Sequence, residues 1–393
     1  MTTASAQQDI GEQLASAIKQ GSVALDLRYR YELVDEQGFD NAANASLLRT
    51  RLTLKSGPVG PLSALLEIDD VSSIGTDDYN STENGKIQYP VIADPEGIAF
   101  NQAWLRYSVT NLDATLGRQR IVLDEGRFVG SKPWRQNEQT YDAARLQWKA
   151  LPGLAIDASY VAQVSRGFGP VDGSNPADWH GDSAFLRTSY KFSERHELLG
   201  FAYRLDVDAQ SDFNAARTVN NSSDTVGLAY RGEFSGLKLL ARVATQTASG
   251  GSELDYRAPY YVVELEAPLG DIRLGAAYEV LGAGNGVGFG TPLANGNRYQ
   301  GWADKFLATP EDGLRDAWIS LDGKLGPLAL TARYHDFSAE SSSVRFGTEV
   351  DLQAGWVING WLTATAKVAV FESDAPGLYT DTTKAWLMLQ LRL

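Results

Sequence analysis

Apolar and polar residues alternate with a period of two from Val23 to the end of the chain. Residues 23–33, for example, read VALDLRYRYEL. Because successive side chains of a β-strand point to opposite faces, such a segment has one apolar face and one charged face. The pattern recurs in 18 segments, near residues 23–33, 47–55, 61–69, 98–109, 112–121, 141–149, 154–164, 183–192, 197–207, 224–234, 237–247, 258–267, 271–281, 314–323, 327–337, 344–357, 361–371 and 382–393. The sequence therefore predicts an all-β chain of 18 strands.

The connections between these segments alternate in length. Short ones such as 110–112 and 235–236 are interleaved with long ones such as 72–97, 124–140 and 283–313. This arrangement is typical of outer-membrane barrels, and no run of about 18 apolar residues offers a transmembrane helix instead. We therefore predict an 18-stranded antiparallel up-and-down transmembrane β-barrel in the bacterial outer membrane, with short periplasmic turns and long extracellular loops.

The competing all-β fold is a soluble sandwich of the adhesin or carbohydrate-binding type, whose strands also alternate. The aromatic residues favour the barrel. Most of those on strands share the apolar face and lie toward strand ends, as the aromatic girdles of membrane barrels do. They are Tyr29, Tyr31, Tyr107, Trp148, Tyr160, Tyr190, Phe192, Tyr203, Tyr230, Tyr261, Tyr278, Tyr334 and Trp356.

We expect residues 1–20 to precede the barrel and residues 21–393 to form it. Ala4-Ser5-Ala6 has the small-x-small pattern of a signal-peptidase site, and residues 9–19 have apolar residues at helical spacing. We interpret residues 1–20 as the end of a signal peptide followed by a short periplasmic segment. Residues 384–393, KAWLMLQLRL, alternate to the chain end and resemble the signal by which the assembly machinery recognises outer-membrane proteins.

The composition excludes several classes of function. The chain has no cysteine, and His180, His196 and His335 lie too far apart in sequence to form a metal-ligand motif. A net charge of −14 argues against a nucleic-acid partner. No histidine has the placement that an outer-membrane phospholipase would need. We therefore predict no enzymatic activity, no cofactor and no bound metal.

The charged faces of the strands indicate what the lumen does. On these faces basic residues outnumber acidic ones, and rings of Arg and Lys are how pores select anions. Arginine prevails over lysine, which suits two-point contact with carboxylate or phosphate, although luminal Arg and Asp can also pair merely to satisfy each other. The predicted pore-lining residues on strands are Arg28, Arg30, Arg49, Arg51, Arg106, Arg145 and Arg187.

Residues 117–142, GRQRIVLDEGRFVGSKPWRQNEQTYD, form the most distinctive segment. It contains Arg118, Arg120, Arg127 and Arg135 beside Trp134, and its loop is too long for a tight turn, so we expect it to fold into the lumen. Arg118 and Arg120 have the strand parity of the apolar residues Ala114 and Leu116. A bulge, or a locally apolar inner face, must therefore be assumed there.

This segment resembles the signature of the alginate-export porin family. Residues 289–316, FGTPLANGNRYQGWADKFLATPEDGLRD, resemble that family's Trp-Ala-Asp-x-Phe segment, and the likeness extends from about Gly21 to Leu393. It implies a monomeric 18-stranded outer-membrane barrel with a basic lumen that passes an acidic polysaccharide outward. The matching residues are Arg118, Gln119, Arg127, Trp134, Arg135, Gln136 and Asp142 in the first motif and Trp302, Asp304, Lys305 and Phe306 in the second. Of the second motif, Trp302 and Asp304 are taken as pore-lining.

The resulting hypothesis is an outer-membrane porin for anionic solutes, with an acidic saccharide such as alginate or its oligomers as the substrate. Its expected surroundings are outer-membrane lipid and lipopolysaccharide. A generic, weakly selective diffusion porin is one alternative. A closed surface barrel that acts as an adhesin or receptor is an alternative from another class.

Overall fold

The computed structural model describes residues 11–13, 15–210, 213 and 215–393. Eighteen strands make one sheet. They are β1 (Ser22–Glu36), β2 (Ala43–Lys55), β3 (Leu62–Asp78), β4 (Gly97–Val109), β5 (Leu112–Gln119), β6 (Thr140–Leu151), β7 (Leu154–Ser165), β8 (Asp178–Ser193), β9 (His196–Leu205), β10 (Ser223–Phe234), β11 (Leu237–Ala248), β12 (Arg257–Leu269), β13 (Ile272–Leu281), β14 (Leu314–Leu325), β15 (Leu328–Ser338), β16 (Arg345–Val357), β17 (Leu362–Ser373) and β18 (Thr382–Arg392).

Every strand pairs with its sequence neighbours in antiparallel orientation, and β1 also pairs with β18. This closing seam runs from the pair Asp26 and Arg392 to the pair Glu36 and Thr382. Mutual backbone hydrogen bonds of 3.0 and 2.9 Å between Leu25 and Leu393 extend it. The sheet is therefore a closed barrel without free edges, which confirms the predicted 18-stranded antiparallel fold.

Short turns and long loops lie at opposite ends of this barrel, as the sequence predicts. Some strands are longer than predicted: β3 continues to Asp78, and β8 begins at Asp178. In these extensions polar residues and glycine interrupt the regular alternation, so backbone pairing continues after the hydrophobic pattern has ended. The loops add a short helix at Ala215–Val219 and a two-residue ladder between 283–284 and 287–288, neither of which has a recognisable sequence pattern.

Residues 11–13 and 15–19 are helical and precede β1 at the short-turn end. The Ala17 carbonyl accepts a 2.8 Å hydrogen bond from the Gly57 N–H in the turn between β2 and β3. The predicted signal-peptidase pattern at residues 4–6 lies outside the described residues. No helix in the described part of the chain has the length and apolar character needed to cross a membrane.

The outer surface of the barrel is apolar, as predicted. Leu228 and Val243, which pair across β10 and β11, are 57% and 55% exposed to the surroundings, whereas the neighbouring Ala229 points inward and is 3% exposed. Twelve of the thirteen aromatic residues assigned to this face lie on it. Tyr203 is the exception: it faces inward and is 5% exposed, because loop residues cover the inner side of β9 with an apolar core.

The opposite placement of turns and loops allows a test of orientation. We expect an epitope inserted after Val171, which is 61% exposed in the long loop between β7 and β8, to bind antibody on intact cells. The same epitope inserted after Gly270, in the short turn between β12 and β13, should bind only after the outer membrane is opened. Labelling at Gly270 on intact cells would reverse the assigned orientation.

The face assignment can be tested on β11. Val243→Arg places a charge toward hydrocarbon and should lower the free energy of unfolding by about 2–4 kcal/mol. Leu240→Arg, on the same strand but lining a luminal cavity, should lower it much less. Urea unfolding of both variants in lipid vesicles measures the difference. Equal losses would contradict the assignment of inner and outer faces.

Candidate functional site

Two long loops fold into the lumen and contact each other there: the third loop (residues 120–139) and the seventh loop (residues 282–313). The N–H of Gly130 donates to the Leu293 carbonyl at 2.9 Å, and the N–H of Asn295 donates to the Gly126 carbonyl at 2.9 Å. A side chain at Gly126 or Gly130 would place its Cβ 2.1–2.2 Å from the Asn295 amide, so either substitution would displace that amide from its contacts with the third loop. The expectation that the 117–142 segment enters the lumen is met by this structure.

These loops give the barrel a hydrophobic core inside its lumen. Phe128 of the third loop packs edge-on against Tyr260 of β12 at 5.0 Å between ring centroids and lies 5.7 Å from Phe289 of the seventh loop. Phe306 of the seventh loop packs 4.5 Å from Phe337 of β15. Because inward strand residues and loop residues bury each other, the lumen is substantially filled.

The four predicted arginines of the first two strands do line the lumen, and Arg28 and Arg49 are direct cross-strand partners. Carboxylates of β1, of β3 and of two loops neutralise three of them. Arg30 contacts Glu32 and lies 3.1 Å from Asp94, Arg49 contacts Asp26 at 3.0 Å, and Arg51 contacts Asp69 at 2.6 Å and Glu138 at 2.9 Å. We call this set the β1–β3 cluster. It is an ion-pair network, and the excess positive charge predicted here is absent.

Arg28 holds the third loop and has no carboxylate partner within 4.0 Å in the described part of the chain. Its guanidinium donates to the Gln136 side chain at 2.8 Å, to the Pro133 carbonyl at 2.9 Å and to the Arg135 carbonyl. Arg30 adds a 2.5 Å bond to the Trp134 carbonyl. The backbone of residues 133–136 is thereby fixed to β1, since buried carbonyls need such donors.

Glu138 joins the third loop to the β1–β3 cluster. Burial by itself raises the pKa of its carboxyl, but Arg51, Arg120 and Arg49 lower that pKa to about 2. The carboxylate is therefore charged at neutral pH, and it compensates Arg49 and Arg51 of β2 together with Arg120 of its own loop.

The structure separates the two arginines of β5. Arg118 faces outward, where it pairs with Asp142 of β6 at 2.7 Å near the long-loop end, so its assignment to the pore is wrong. No bulge precedes it on β5, and it keeps the parity of the lipid-facing Leu116. The strand ends at Gln119, and Arg120 then turns inward to contact Glu67 and Glu138.

The other predicted arginines also lie inside the barrel. Arg145 pairs with Asp157 at 2.5 Å, Arg187 with Asp124 at 2.8 Å, and Arg127 with Glu279 at 2.6 Å. Arg106 instead lies over the ring of Trp104, 4.5 Å from its centroid, and donates to the Thr115 hydroxyl.

The Trp302–Phe306 segment of the seventh loop anchors that loop to the wall. Asp304 forms ion pairs with Arg135 at 2.9 Å and with Lys384 of β18 at 3.0 Å. Burial raises the pKa of the Asp304 carboxyl, but these two cations lower that pKa below its usual value. Lys305 reaches Glu36 at 2.8 Å. The N–H groups of Trp302 and Ala303 donate to Glu349 of β16, at 2.8 Å for Ala303. These contacts join the loop to β1, β16 and β18 of the wall.

A lysine links both loops to one point of the wall. The ammonium of Lys367 on β17 lies 3.9 Å from the ring centroid of Trp134, 3.8 Å from that of Trp302 and 5.2 Å from that of Trp386. It donates to Asn297 at 3.0 Å. Cation–π contacts of this kind are worth about 2 kcal/mol when desolvated, so they offset the burial of the charge. Trp134 and Trp302 are thus loop anchors in this structure.

A luminal cavity of about 630 Å³ remains toward the short-turn end. Arg298 and Tyr299 of the seventh loop line it together with Trp318 and Arg333 from β14 and β15. The Arg333 guanidinium lies 4.5 Å from the Trp318 ring centroid, and in the described part of the chain neither Arg298 nor Arg333 has a carboxylate within 4.0 Å. Among the described residues, no group of three or more His, Asp or Glu side chains is placed to hold a metal ion.

Sequence reasoning missed several residues of this site. Strand parity predicts the inward direction of Arg333, but Arg333 is not among the predicted pore-lining residues. Asp94, Glu138 and Arg298 come from loops, where no periodicity tells which way a side chain points. The loop carboxylates are what makes the β1–β3 cluster neutral.

Comparisons with known proteins agree with this geometry. The model of a family described as alginate export matches residues 19–259. The Pseudomonas aeruginosa structure of OpdO is 15% identical, with 96% of this chain and 98% of that one covered and a TM-score of 0.70. Pseudomonas aeruginosa OccK9 (OpdG) is 20% identical, with 96% of this chain and 100% of that one covered and a TM-score of 0.71. Pseudomonas aeruginosa OpdK with vanillate is 14% identical, with 96% of this chain and 99% of that one covered and a TM-score of 0.69. At these identities the structures share the fold. No protein with a curated description matches this chain significantly.

Glu138→Gln tests the charge balance of the lumen. A carboxyl whose folded pKa is depressed stabilises the protein above its unfolded pKa, and this contribution is lost as the pH falls toward about 2. Between pH 5 and pH 2 the parent should lose up to about 3 kcal/mol of unfolding free energy through this group. E138Q should lack that part of the pH dependence and be less stable at pH 7.

Urea unfolding from pH 7 to pH 2 measures both effects. Glu311→Gln, an exposed position in the seventh loop, is the matched control and should retain the pH dependence of the parent. Identical pH profiles for E138Q and the parent would mean that Glu138 does not compensate the arginines.

Proposed function

Because this chain belongs to the alginate export family and forms a porin-type barrel of the bacterial outer membrane, we propose that it passes anionic solutes, specifically acidic saccharides as monomers or short oligomers. The family is one of channels, in agreement with the prediction that the chain is not an enzyme. Anion preference and the saccharide are the proposed parts.

The observation that carries the proposal is a pair of arginines in the luminal cavity that make no direct ion pair among the described residues. Arg298 and Arg333 have no carboxylate within 4.0 Å in the described residues, and each lies beside an aromatic ring, Tyr299 and Trp318 respectively. A guanidinium next to a ring face offers a charged contact and an apolar contact to one solute. A carboxylated sugar ring has both complementary parts, and vanillate, bound in the OpdK structure, is likewise a ring with a carboxylate.

The size of the solute follows from the filled lumen. The third and seventh loops are fixed to the wall by ion pairs, backbone hydrogen bonds and the Lys367 contacts, which leaves a cavity of about 630 Å³. This space suits a solute of one or a few sugar rings. We therefore favour short acidic oligomers over the polymer.

Bilayer recordings test the proposal. In a KCl gradient the reversal potential of the parent should show anion preference at low salt, fading as salt screens the lumen. Glucuronate should block the current at lower concentration than glucose does. Arg298→Gln with Arg333→Gln should weaken the glucuronate block by about tenfold, because charge-assisted contacts of this kind contribute about that factor.

The matched control is Arg273→Gln, which removes the same kind of charge from a residue paired with Glu266 at 3.7 Å at the short-turn end. It should leave the glucuronate block nearly unchanged. Conductance without anion preference or block would favour the generic diffusion porin. The absence of any conductance steps would favour the closed adhesin or receptor barrel.

A further inference from the structure

The third loop contains a strained acidic turn that no part of the proposed function explains. Asp124, Glu125 and Gly126 adopt left-handed backbone conformations in succession, with φ of 50°, 60° and 78°. Glycine adopts this region freely, but aspartate and especially glutamate do so at a cost. Such strain persists where the surrounding contacts hold the residue in place, and it often marks a functional position.

Three arginines from the wall converge on this acidic turn. Asp124 is buried and accepts from Arg187 of β8 at 2.8 Å and from the Tyr203 hydroxyl at 3.2 Å. Glu125 accepts from Nη2 of Arg231 on β10 at 2.7 Å and lies 3.7 Å from Nη2 of Arg242 on β11. The loop therefore presents carboxylates to a site that the wall builds for an anion.

Glu125 differs from Asp124 in being open to the luminal cavity. Its side chain is 38% exposed, whereas that of Asp124 is 2% exposed. Arg231 and Arg242 line the same cavity. In the described part of the chain, no hydrogen-bond acceptor reaches Nε or Nη2 of the buried Arg242. The Glu125 carboxylate thus only partly satisfies this pair of arginines, and it can leave without unpacking the core.

We propose that Glu125 is an internal counter-anion that occupies a second carboxylate position, in the cavity that Arg298 and Arg333 also line, and that a carboxylate solute displaces it from Arg231 and Arg242. In the empty channel Glu125 neutralises Arg242, which has no other carboxylate within 4.0 Å among the described residues, and it shares Arg231 with Asp124 at 3.6 Å and Glu197 at 3.5 Å. During passage its competition lowers the net affinity for the solute, so that the solute can leave again, as conduction requires. The inference rests on the proposed function only in taking the solute to be an anion.

Glu125→Gln tests the exchange. With the competing carboxylate gone, glucuronate should block the current at a concentration about tenfold lower than in the parent, as expected for one charge-assisted contact. Glu125→Gly, which also relieves the left-handed strain, should show the same gain. Arg231→Gln in the E125Q background should remove it.

Glu233→Gln is the matched control, because Glu233 lines the same cavity, faces Lys238 across the β10–β11 ladder and has no ion pair within 4.0 Å among the described residues. It removes the same charge without removing the partner of an arginine. Its reversal potential should shift as that of E125Q does, but glucuronate block should change by less than about twofold.

The outcomes separate the two proposals. A parent that prefers anions and is blocked by glucuronate, with E125Q no more sensitive than E233Q, would overturn the internal counter-anion and leave the proposed function standing. A parent without anion preference whose E125Q variant gains a strong block would support the internal counter-anion and count against the proposed selectivity. Absence of block in the parent, E125Q and E125G alike would overturn both.

Discussion

Charge compensation inside a barrel filled by its own loops is the constraint on which the rest of this structure depends. A guanidinium buried without a partner costs several kcal/mol, so each loop that excludes water from the lumen must bring acceptors with it. The third loop brings Glu138, Asp124 and the carbonyls of residues 133–135, and the seventh loop brings Asp304. The loop positions are thus determined by the same ion pairs that keep the arginines of the wall in place.

The strands were predictable because lipid imposes a simple rule on them. An outward residue meets hydrocarbon and an inward residue meets water or polar groups, so the period of two is nearly unbroken. This alternation gives the wrong face where the surroundings of a strand differ from lipid outside and water inside. Tyr203 faces inward because loop residues, and not water, cover β9, and Arg118 faces outward because it lies at the polar rim with Asp142 as its partner. Strand parity alone predicts neither the loop residues that cover β9 nor the position of Arg118 at the polar rim.

The positions of the site's arginines could be predicted from the sequence, whereas those of its carboxylates could not. Arg28, Arg30, Arg49 and Arg51 lie where the alternation places them. Asp94 and Glu138 reach the same place from loops that are distant in sequence, and no spacing rule connects them with β1 and β2. A sequence count of strand residues therefore overestimates the positive charge of such a lumen, and the uncompensated cations have to be found from three-dimensional contacts.

The seam between β1 and β18 links the closure of the barrel to the anchoring of its two luminal loops. The two strands belong to opposite ends of the chain, so the barrel closes only by a contact of the longest possible sequence separation, for which loop-closure entropy is greatest. Arg28 and Arg30, which hold the third loop, lie on one side of this seam, and Lys384, which holds the seventh loop through Asp304, lies on the other. The set of contacts that holds the two loops in the lumen is therefore complete only once the wall is closed. A barrel without its seam lacks these anchors, and its lumen is less constricted than that of the closed barrel.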